Sequence, residues 1–418
     1  MPRKKATPAN DSKAGNGQLP KGWRMVKFGD VVRDVKESER NPIEAGLERY
    51  VGLEHIEPEN LHLKQWGDLT TDEVSFTKRF RKGQVLFGKR RAYQRKVAVA
   101  EFDGICSSDI LTFEPKDDSL ISELLPFIVQ SDAFFDHALD TSSGSLSPRT
   151  RWSQLQSFEF VLGPDDHQRS AAKMLLAADH AITEATHVLA ALEMLRSSLI
   201  NQLVQPREPA DLDWAESTIE ELVSDGRIAP PQDGNHGESH PKAADFTDHG
   251  IPFIMANNVR EQTIDLETCR FISKELADTL RIGFAKPDDI LLTHKGTVGE
   301  VAIVPDISTE YIMLTPQVTY YRVLDSTRLD RQFLYYSMQA ETFQLPLQRW
   351  SAQSTRAYVG ITAQRKLPLR IPPISVQKRV ASRVAAVDSR RTTAARNRDS
   401  LIELSKQLRE HFVKGLQP

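Results

Sequence analysis

Residues 171–195 read AAKMLLAADHAITEATHVLAALEML, and their apolar residues recur at alternating steps of three and four. In a helix this spacing places Leu175, Ile182, Leu189 and Leu192 on one narrow stripe. A stripe of two positions in seven is typical of a helix that pairs with another helix, whereas a helix on a globular core has a broader apolar face. The stretch therefore predicts a long helix with a helical partner.

A second stretch with this pattern lies near the other end of the chain. Neither residues 170–204 nor residues 374–414 contain proline or glycine, so each can form a helix about 50–60 Å long. The alternative to pairing is that each helix packs on its own domain alone. We predict that the two helices pair through a seam formed by Leu175, Ile182, Leu189, Leu192, Leu199, Val380, Val384, Val387, Leu401 and Leu408.

The remainder of the chain contains two similar halves, offset by about 205 residues. Trp23 of the first half corresponds to Trp214 of the second. This similarity predicts two domains with the same fold. The matching stretches are LPKGWRMVKFGDVVRD from Leu19 and ADLDWAESTIEELVSDGRI from Ala210, YVGLEHI from Tyr50 and IPFIMANNV from Ile251, and VLFGKRRAYQRKVAVA from Val85 and ILLTHKGTVGEVAIV from Ile290.

Each half ends in a strand, a turn with proline and a long helix. The turns read GPDDHQR from Gly163 and PPISVQKR from Pro372, with Gln168 and Gln377 at equivalent places. Proline near the first helical turn removes no hydrogen bond, because the N–H groups there have no partner within the helix. Both turns are therefore predicted helix starts.

These features predict an α+β chain of two similar recognition domains, each a mixed β-sheet with helices, separated by two long antiparallel coiled-coil helices. We predict the following segments: a disordered basic tail at 1–18, a first domain at 19–163, a first spacer helix at 164–205, a second domain at 210–371 and a second spacer helix at 372–416.

Composition restricts the class of protein. The 54 Lys and Arg residues nearly balance 57 Asp and Glu residues, so any nucleic-acid surface must be local. Cys106 and Cys269 stand alone in the sequence, which argues against a disulfide framework or a structural zinc site. No apolar run approaches the length that spans a bilayer. We expect a soluble, cytoplasmic protein without a bound metal.

Local basic character is strongest in the first half. Residues 81–96 contain seven cations and no acid, and guanidinium groups bind phosphates or the O6 and N7 atoms of guanine. The alternative is a solvated loop that pairs with acids elsewhere. The predicted DNA contacts here are Lys89, Arg90, Arg91, Tyr93, Arg95 and Lys96.

Three further loops are rich in hydroxyl, amide or basic groups that suit DNA contact. The loop at 293–297 corresponds to the basic stretch. Gly296 in this loop and Gly299 shortly after it would let the backbone approach a phosphate closely. A plain β-turn is the alternative for that loop. The other two loops precede the last strand of each domain. The predicted contacts in these loops are Thr293, His294, Lys295 and Thr297, then Ser143, Arg149 and Arg151, and finally Arg349, Ser354 and Arg356.

The order of two domains and two long helices resembles the specificity subunit of type I restriction-modification enzymes, over about residues 19–416. The most telling stretches are DILLTHKGTVGEVAIV from Asp289 and IPPISVQ from Ile371. The resemblance implies a split double-stranded DNA target with one half-site per domain. It also implies that the helices set the gap between half-sites and help to dock two methyltransferase subunits.

By the same resemblance, this subunit is not an enzyme and holds no cofactor. S-adenosylmethionine, ATP and Mg²⁺ are then expected in partner subunits, which include methyltransferase and, where present, restriction or translocase subunits. The first half departs from the family pattern, since VLFGKRRAYQRKVAVA lacks the glycines found at Gly296 and Gly299, and LGPDDHQ stands where a double proline is usual. Residue roles therefore transfer less directly to the first domain.

Motifs for catalysis are missing or weak. The chain contains no GxxxxGK[ST] phosphate loop, no HExxH motif and no Asn-Pro-Pro or Asp-Pro-Pro motif of a DNA methyltransferase. Asp103 or Asp109 with Glu114 and Lys116 has a permissive spacing for a magnesium nuclease. A stand-alone nuclease and a coiled-coil scaffold without DNA specificity therefore remain as alternatives.

Overall fold

A computed structural model describes residues 19–144, 147–204, 214–237, 240–353 and 357–414. The chain divides into two compact units, residues 1–186 with 396–418 and residues 187–395. The tail predicted at 1–18 lies outside the described residues.

Over its described residues, the first unit contains ten strands and four short α-helices, and the first long helix begins in it. The elements are β1 (Arg24–Lys27), α1 (Phe28–Val31), β2 (Val32–Asp34), β3 (Arg49–Val51), β4 (Gly67–Asp68), β5 (Lys78–Phe80), β6 (Val85–Gly88), β7 (Val97–Val99), β8 (Gly104–Cys106), β9 (Ile110–Pro115), α2 (Leu125–Val129), α3 (Asp132–Asp140), α4 (Trp152–Leu155), β10 (Glu159–Leu162) and α5 (Asp165–Val204).

Two four-stranded sheets and one strand pair form the β-structure of this unit. The sheets have the orders β2-β9-β6-β7 and β4-β3-β8-β5, and β1 pairs with β10. All pairings are antiparallel except that of β3 with β8. Phe28 lies in the core, with its ring centroid 5.5 Å from that of Phe113 and 4.9 Å from that of Phe134. Each such buried side chain stabilises the fold by about 1.5–3 kcal/mol.

The second unit repeats this organisation. Its elements are β11 (Ala215–Thr218), α6 (Ile219–Ser224), β12 (Phe246–Thr247), β13 (Ile251–Ile254), β14 (Val259–Arg260), β15 (Thr263–Ile264), β16 (Arg270–Ile272), α7 (Lys274–Thr279), β17 (Phe284–Ala285), β18 (Ile290–Lys295), β19 (Thr297–Ile303), β20 (Ile312–Leu314), β21 (Val318–Tyr321), α8 (Arg331–Ser337), α9 (Glu341–Ala352), α10 (Ile361–Gln364), β22 (Pro368–Ile371) and α11 (Ile374–Val413).

The strand pairings of the two units correspond. The first strand pairs with the last in each, as β1 with β10 and β11 with β22. The single parallel pairing also recurs, as β3 with β8 and β13 with β20. The hairpins β6–β7 and β18–β19 also correspond, and a further strand pairs with the first strand of each hairpin. This strand is β9 beside β6 and β21 beside β18. The prediction of an α+β fold with two similar domains and two long helices is therefore confirmed.

The two long helices run antiparallel. In the first unit, Ala171 and Leu175 near the start of α5 belong to one hydrophobic cluster with Phe412 at the end of α11. In the second unit, Ile200 near the end of α5 belongs to one cluster with Val380 near the start of α11. The predicted helix pair is thus present, and it is continuous with the core of each unit.

The predicted seam is only partly buried. Its buried members are Leu175, Val380, Val384 and Val387. The others are half-buried because a pair of helices without a third element leaves the rim of its seam open to water. These half-buried members are Ile182, Leu189, Leu192, Leu199, Leu401 and Leu408.

Within the described part of the chain, no helix has both the length and the apolar content that crossing a membrane requires.

Candidate nucleic-acid interface

The two predicted contact loops of the first domain lie side by side. The backbone N–H of Arg91 donates to the carbonyl of Pro148 at 2.8 Å, and that of Thr150 donates to the carbonyl of Lys89 at 3.0 Å. Arg90 and Arg149 also form a β-bridge. We call the surface that these loops form the first-domain basic surface; its cations are Lys89, Arg90, Arg91, Arg149 and Arg151.

Backbone conformation explains how the basic stretch forms a compact loop. Strand β6 ends at Gly88, and a short 3-10 helix follows at Ala92–Gln94. Arg91 and Arg95 flank this helix with φ values of 55° and 53°. The chain bends sharply at these two left-handed residues, and it returns to pair antiparallel with β6 as β7. Tyr93 lies on this turn with 54% of its surface exposed.

One carboxylate, that of Asp109, lies among these cations. Its Oδ1 accepts a hydrogen bond from Nε of Arg149 at 3.1 Å, and its Oδ2 accepts one from Nη2 at 3.3 Å. Nη1 of Arg90 lies 3.7 Å from the same carboxylate, and Nε of Arg90 donates to Ser147 Oγ at 2.7 Å. Asp109 thus orients two arginines.

The first-domain basic surface keeps a strong positive charge. Across residues 89–91, 109 and 147–151, five cations and one carboxylate leave a local net charge of +4. Within the described part of the chain, Arg91 and Arg151 form no ion pair and both are exposed. A cleft of about 460 Å³ runs beside Lys89 and Arg151, with Trp152 in its wall. Such a surface attracts a polyanion such as DNA.

Arg95 and Lys96 are half-buried and are held by contacts within the domain. Arg95 forms ion pairs with Glu59 at 2.8 Å and Asp132 at 2.7 Å, and its guanidinium lies 4.6 Å from the ring centroid of Phe135. Nζ of Lys96 donates to the carbonyl of Leu53 at 2.6 Å. These contacts favour a structural role for both residues, and DNA contact by them stays a prediction.

Ser143 lies at the edge of the same surface. Its backbone exchanges two hydrogen bonds with that of Arg149, at 3.1 and 3.0 Å, and its side chain is exposed. The residue thus holds the second loop in shape and leaves its hydroxyl available.

In the second domain, the structure contradicts DNA contact by Thr293 and His294. Both have no exposed surface, because β18 is the central strand of its sheet and is covered on both faces. Oγ1 of Thr293 accepts a hydrogen bond from the N–H of Glu300 at 3.0 Å. Burial lowers the pKa of His294 to about 4, so its imidazole is neutral at pH 7.

Lys295 and Thr297 are exposed at the β18–β19 turn, where Gly296 has a φ of +82°. Gly299 does not offer an open approach to phosphate, since a Cβ there would lie 2.6 Å from Oε1 of Gln344. Arg349 is exposed in the last turn of α9. The predicted contacts Ser354 and Arg356 lie outside the described residues.

The two domains share one backbone arrangement at these loops, which we call the loop frame. In the first domain, Lys89 N–H donates to the Asp109 carbonyl at 2.9 Å, while its own carbonyl accepts from Thr150. In the second, His294 N–H donates to the Gln317 carbonyl at 2.9 Å, while its carbonyl accepts from Val359 at 2.9 Å.

A β-bridge completes the loop frame in both domains. It joins Arg90 with Arg149 in the first and Lys295 with Tyr358 in the second. Asp109 therefore corresponds to Gln317, and Arg149 corresponds to Tyr358. The same backbone holds different side chains in the two domains.

The acidic residues and the lysine of the nuclease alternative bind other protein groups in the described part of the chain. The Glu114 carboxylate binds Arg33 and accepts a hydrogen bond from Gln84 at 2.7 Å, and the Lys116 ammonium binds the carbonyl of Gly29. Asp109 is held by Arg149. Among the residues that the structure describes, no group of three or more His, Cys, Asp or Glu side chains suits a metal ion.

Sequence reasoning missed the role of Asp109, which it considered only as a metal ligand. The partner Arg149 lies 40 positions away, and no local spacing links the two residues. The internal repeat was the available signal, because it aligns Asp109 with Gln317 immediately before β9 and β21.

Comparison with known proteins finds similarity to type I restriction enzyme specificity subunits. Residues 213–404 match the family described as type I restriction modification DNA specificity domain. The chain is 19% identical over 428 residues to the type I restriction enzyme MjaVIII specificity subunit of Methanocaldococcus jannaschii, covering 95% of this chain and 91% of that protein. It is 25% identical over 187 residues to the type I restriction enzyme EcoDI specificity subunit of Escherichia coli, covering 44% and 41%.

A solved structure shares the fold. The type I restriction-modification system S subunit from M. genitalium aligns with a TM-score of 0.59 at 13% identity, over 96% of this chain and 98% of that one. The sequence matches, the duplicated domains and the antiparallel helices agree with one another: residues 213–404 match a type I restriction modification DNA specificity domain, and the chain is similar over most of its length to a type I restriction enzyme specificity subunit.

Proposed function

We propose that this subunit recognises a double-stranded DNA target in two parts, with one half-site bound by each domain. The observation that carries the proposal is the loop frame, which presents Asp109 and Arg149 in one domain and Gln317 and Tyr358 in the other. Two domains that have the same backbone arrangement but different side chains at these positions are suited to recognise different base sequences. The +4 charge of the first-domain basic surface supplies attraction to phosphates.

In this proposal the chain carries no catalytic activity and works inside a larger complex in the cytoplasm. Two methyltransferase subunits, and restriction or translocase subunits where present, would bind S-adenosylmethionine, ATP and Mg²⁺. The long helices expose apolar side chains that such partners would cover. They are Met174, Leu176, Val188, Met194, Leu195, Ile402 and Leu404.

The long helices would set the distance between the two half-sites. Both α5 and α11 are continuous over 40 residues, a length of about 60 Å. A continuous helix pair resists bending better than a loop linker does. We therefore expect a spacer of constant length between the two recognised sequences.

The test is to express the chain with its methyltransferase partner and map methylated sites across a genome. We expect one bipartite motif with a constant spacer. Replacing residues 19–163 with the first domain of another family member should change one half-site and leave the other intact. Methylation without a bipartite motif would exclude the proposal.

The scaffold alternative makes a different prediction. A scaffold without DNA specificity would bind target and unrelated duplexes equally and show little dependence on salt. Titration of the purified complex with both duplexes distinguishes the two functions.

A further inference from the structure

We propose that Asp109 is a positioning residue that orients Arg149 to bind a guanine in the first half-site. This inference rests on the proposed function and names the residues that carry the sequence preference of the first domain.

The position of Asp109 is set by its own backbone and by its neighbours. Its N–H donates to Ser107 Oγ at 3.2 Å, and its carbonyl accepts from Lys89 N–H within the loop frame. Its side chain is only 17% exposed, whereas that of Arg149 is 53% exposed. A carboxylate fixed in this way holds a more mobile guanidinium at the surface.

The hydrogen bonds to Asp109 use one edge of the Arg149 guanidinium, formed by Nε and Nη2. Guanidinium has five N–H donors, arranged as two forks. The second fork consists of one N–H of Nη1 and the remaining N–H of Nη2, and neither of these has a partner within the described residues. Two parallel N–H groups at the end of an arginine match the O6 and N7 acceptors of guanine.

A guanine fits this arrangement better than a phosphate does. The Asp109 carboxylate would repel a phosphate placed beside Arg149, while the neutral acceptors of guanine meet no such repulsion. Arg91 and Arg151 have no ion pair among the described residues and are better suited to phosphate. An arginine held in place also loses less conformational entropy on binding than a free one.

The second domain supports this assignment by contrast. Its loop frame holds Gln317 where the first domain has Asp109, and Oε1 of Gln317 accepts from Ala256 N–H at 3.2 Å. Tyr358 replaces Arg149. The second half-site should therefore not depend on an arginine at this position.

The test uses the complex with its methyltransferase partner and a library of duplexes in which each base of the wild-type motif is varied. We expect Asp109→Asn and Arg149→Gln to lower the preference for guanine at one shared position of the first half-site by roughly 10- to 100-fold. The preference at the second half-site should not change, and this unchanged half also shows that the complex is assembled.

A matched control is Glu37→Gln. Glu37 binds Arg81 through the same fork, with Nε at 3.1 Å and Nη2 at 3.0 Å. Arg81 precedes β6 and Lys89 follows it, so the two pairs lie at opposite ends of a strand about 13 Å long. The control should retain the full motif.

Two outcomes would overturn the inference. One is equal weakening of all duplexes by Arg149→Gln, which indicates a phosphate contact. The other is an unchanged motif in both variants. A wild-type complex that shows no bipartite motif would instead refute the proposed function.

Discussion

Gln168 and Gln377 make the same three hydrogen bonds, one set in each unit. Oε1 of Gln168 accepts from Ile121 N–H at 3.0 Å, and Nε2 donates to the carbonyls of Ser119 and Gly163 at 3.0 and 3.1 Å. Oε1 of Gln377 accepts from the N–H of Asp330 at 2.7 Å, and its Nε2 donates to the carbonyls of Arg328 and Pro372 at 3.1 and 2.8 Å. Each glutamine is buried and attaches a long helix to its domain.

We expect Gln168→Leu and Gln377→Leu each to lower the free energy of unfolding of the affected unit by about 1–3 kcal/mol or more. Either change leaves one backbone N–H and two carbonyls without their partner in a buried place. Urea unfolding of the full chain measures the effect. The control is Gln407→Leu on α11, which is exposed and should cost less than about 0.5 kcal/mol.

The second prediction concerns a buried ion pair between the long helices in the second unit. Nε of Arg196 donates to Oδ1 of Asp388 at 2.6 Å, and Arg196 is 3% exposed. Tyr336 donates to Oδ2 of the same carboxylate at 2.7 Å, and burial raises the pKa of the Tyr336 hydroxyl, which therefore stays protonated.

Arg196→Met should destabilise the second unit by about 3–5 kcal/mol, because it leaves a partly buried carboxylate without its cation. The double change with Asp388→Leu should recover only part of this loss, because it removes the unpaired carboxylate but leaves the Tyr336 hydroxyl without its acceptor. Arg370→Met is the control, since its partner Glu216 is exposed and such pairs contribute at most about 1 kcal/mol. Thermal unfolding of the wild type, the two single variants and the double variant measures these effects. If the effects of the two single changes simply add in the double variant, the prediction is wrong.

The third prediction is a pH dependence of the first unit. His62 contacts Asp179 of α5 through Nε2 at 2.9 Å and Glu101 through Nδ1 at 3.0 Å. The hydrogen bond to Asp179 is the main cause that raises the pKa of His62 from 6.5 to about 9, against the opposing effect of burial.

Because the pKa of His62 is higher in the folded state than in the unfolded state, protonated His62 stabilises the fold. This stabilisation is complete below about pH 6.5 and is lost as the pH rises through about 9. We expect the melting temperature of the wild type to fall over that range, and His62→Gln to remove this part of the fall. High salt should weaken the effect because the side chain is 43% exposed. The control is His180→Gln. His180 is exposed and follows Asp179 on α5, and this change should retain the wild-type pH profile.

The fourth prediction concerns non-specific attraction to DNA. Arg91→Ala and Arg151→Ala should weaken binding to target and unrelated duplexes alike, because both arginines are assigned to phosphates. Each should reduce the magnitude of the negative slope of log K against log salt by about 0.9. Fluorescence anisotropy at several salt concentrations measures the slope. Arg328→Ala removes an exposed arginine that pairs with Asp225 in the second unit, and it should leave the slope unchanged.

Local periodicity and the internal repeat were sufficient for the architecture. The long helices, predicted at 164–205 and 372–416, span Asp165–Val204 and Ile374–Val413. Their spacing of apolar residues is a property of neighbouring positions, which a sequence displays directly. The correspondence of Gln168 with Gln377 was also visible, although its three hydrogen bonds were not.

The candidate site was predicted less completely. Thr293 and His294 belong to a polar stretch, yet the position of β18 between β19 and β21 buries them. Arg95 lies in the most basic stretch of the chain, but it is half-buried and forms ion pairs with Glu59 and Asp132. Burial and ion pairing depend on residues far away in sequence, and composition of a loop does not reveal them.

The amino-acid sequence alone established two similar α+β domains, two long helices and the loops that contain the basic residues, because periodicity, repetition and local charge are properties of neighbouring residues. The tertiary structure decided which of those residues remain available for contact with DNA. The loop frame joins Lys89, Asp109 and Thr150, and the carboxylate of Asp109 holds Arg149. These contacts join segments about 20 to 60 residues apart, and only the packing of strands into a sheet brings such segments together.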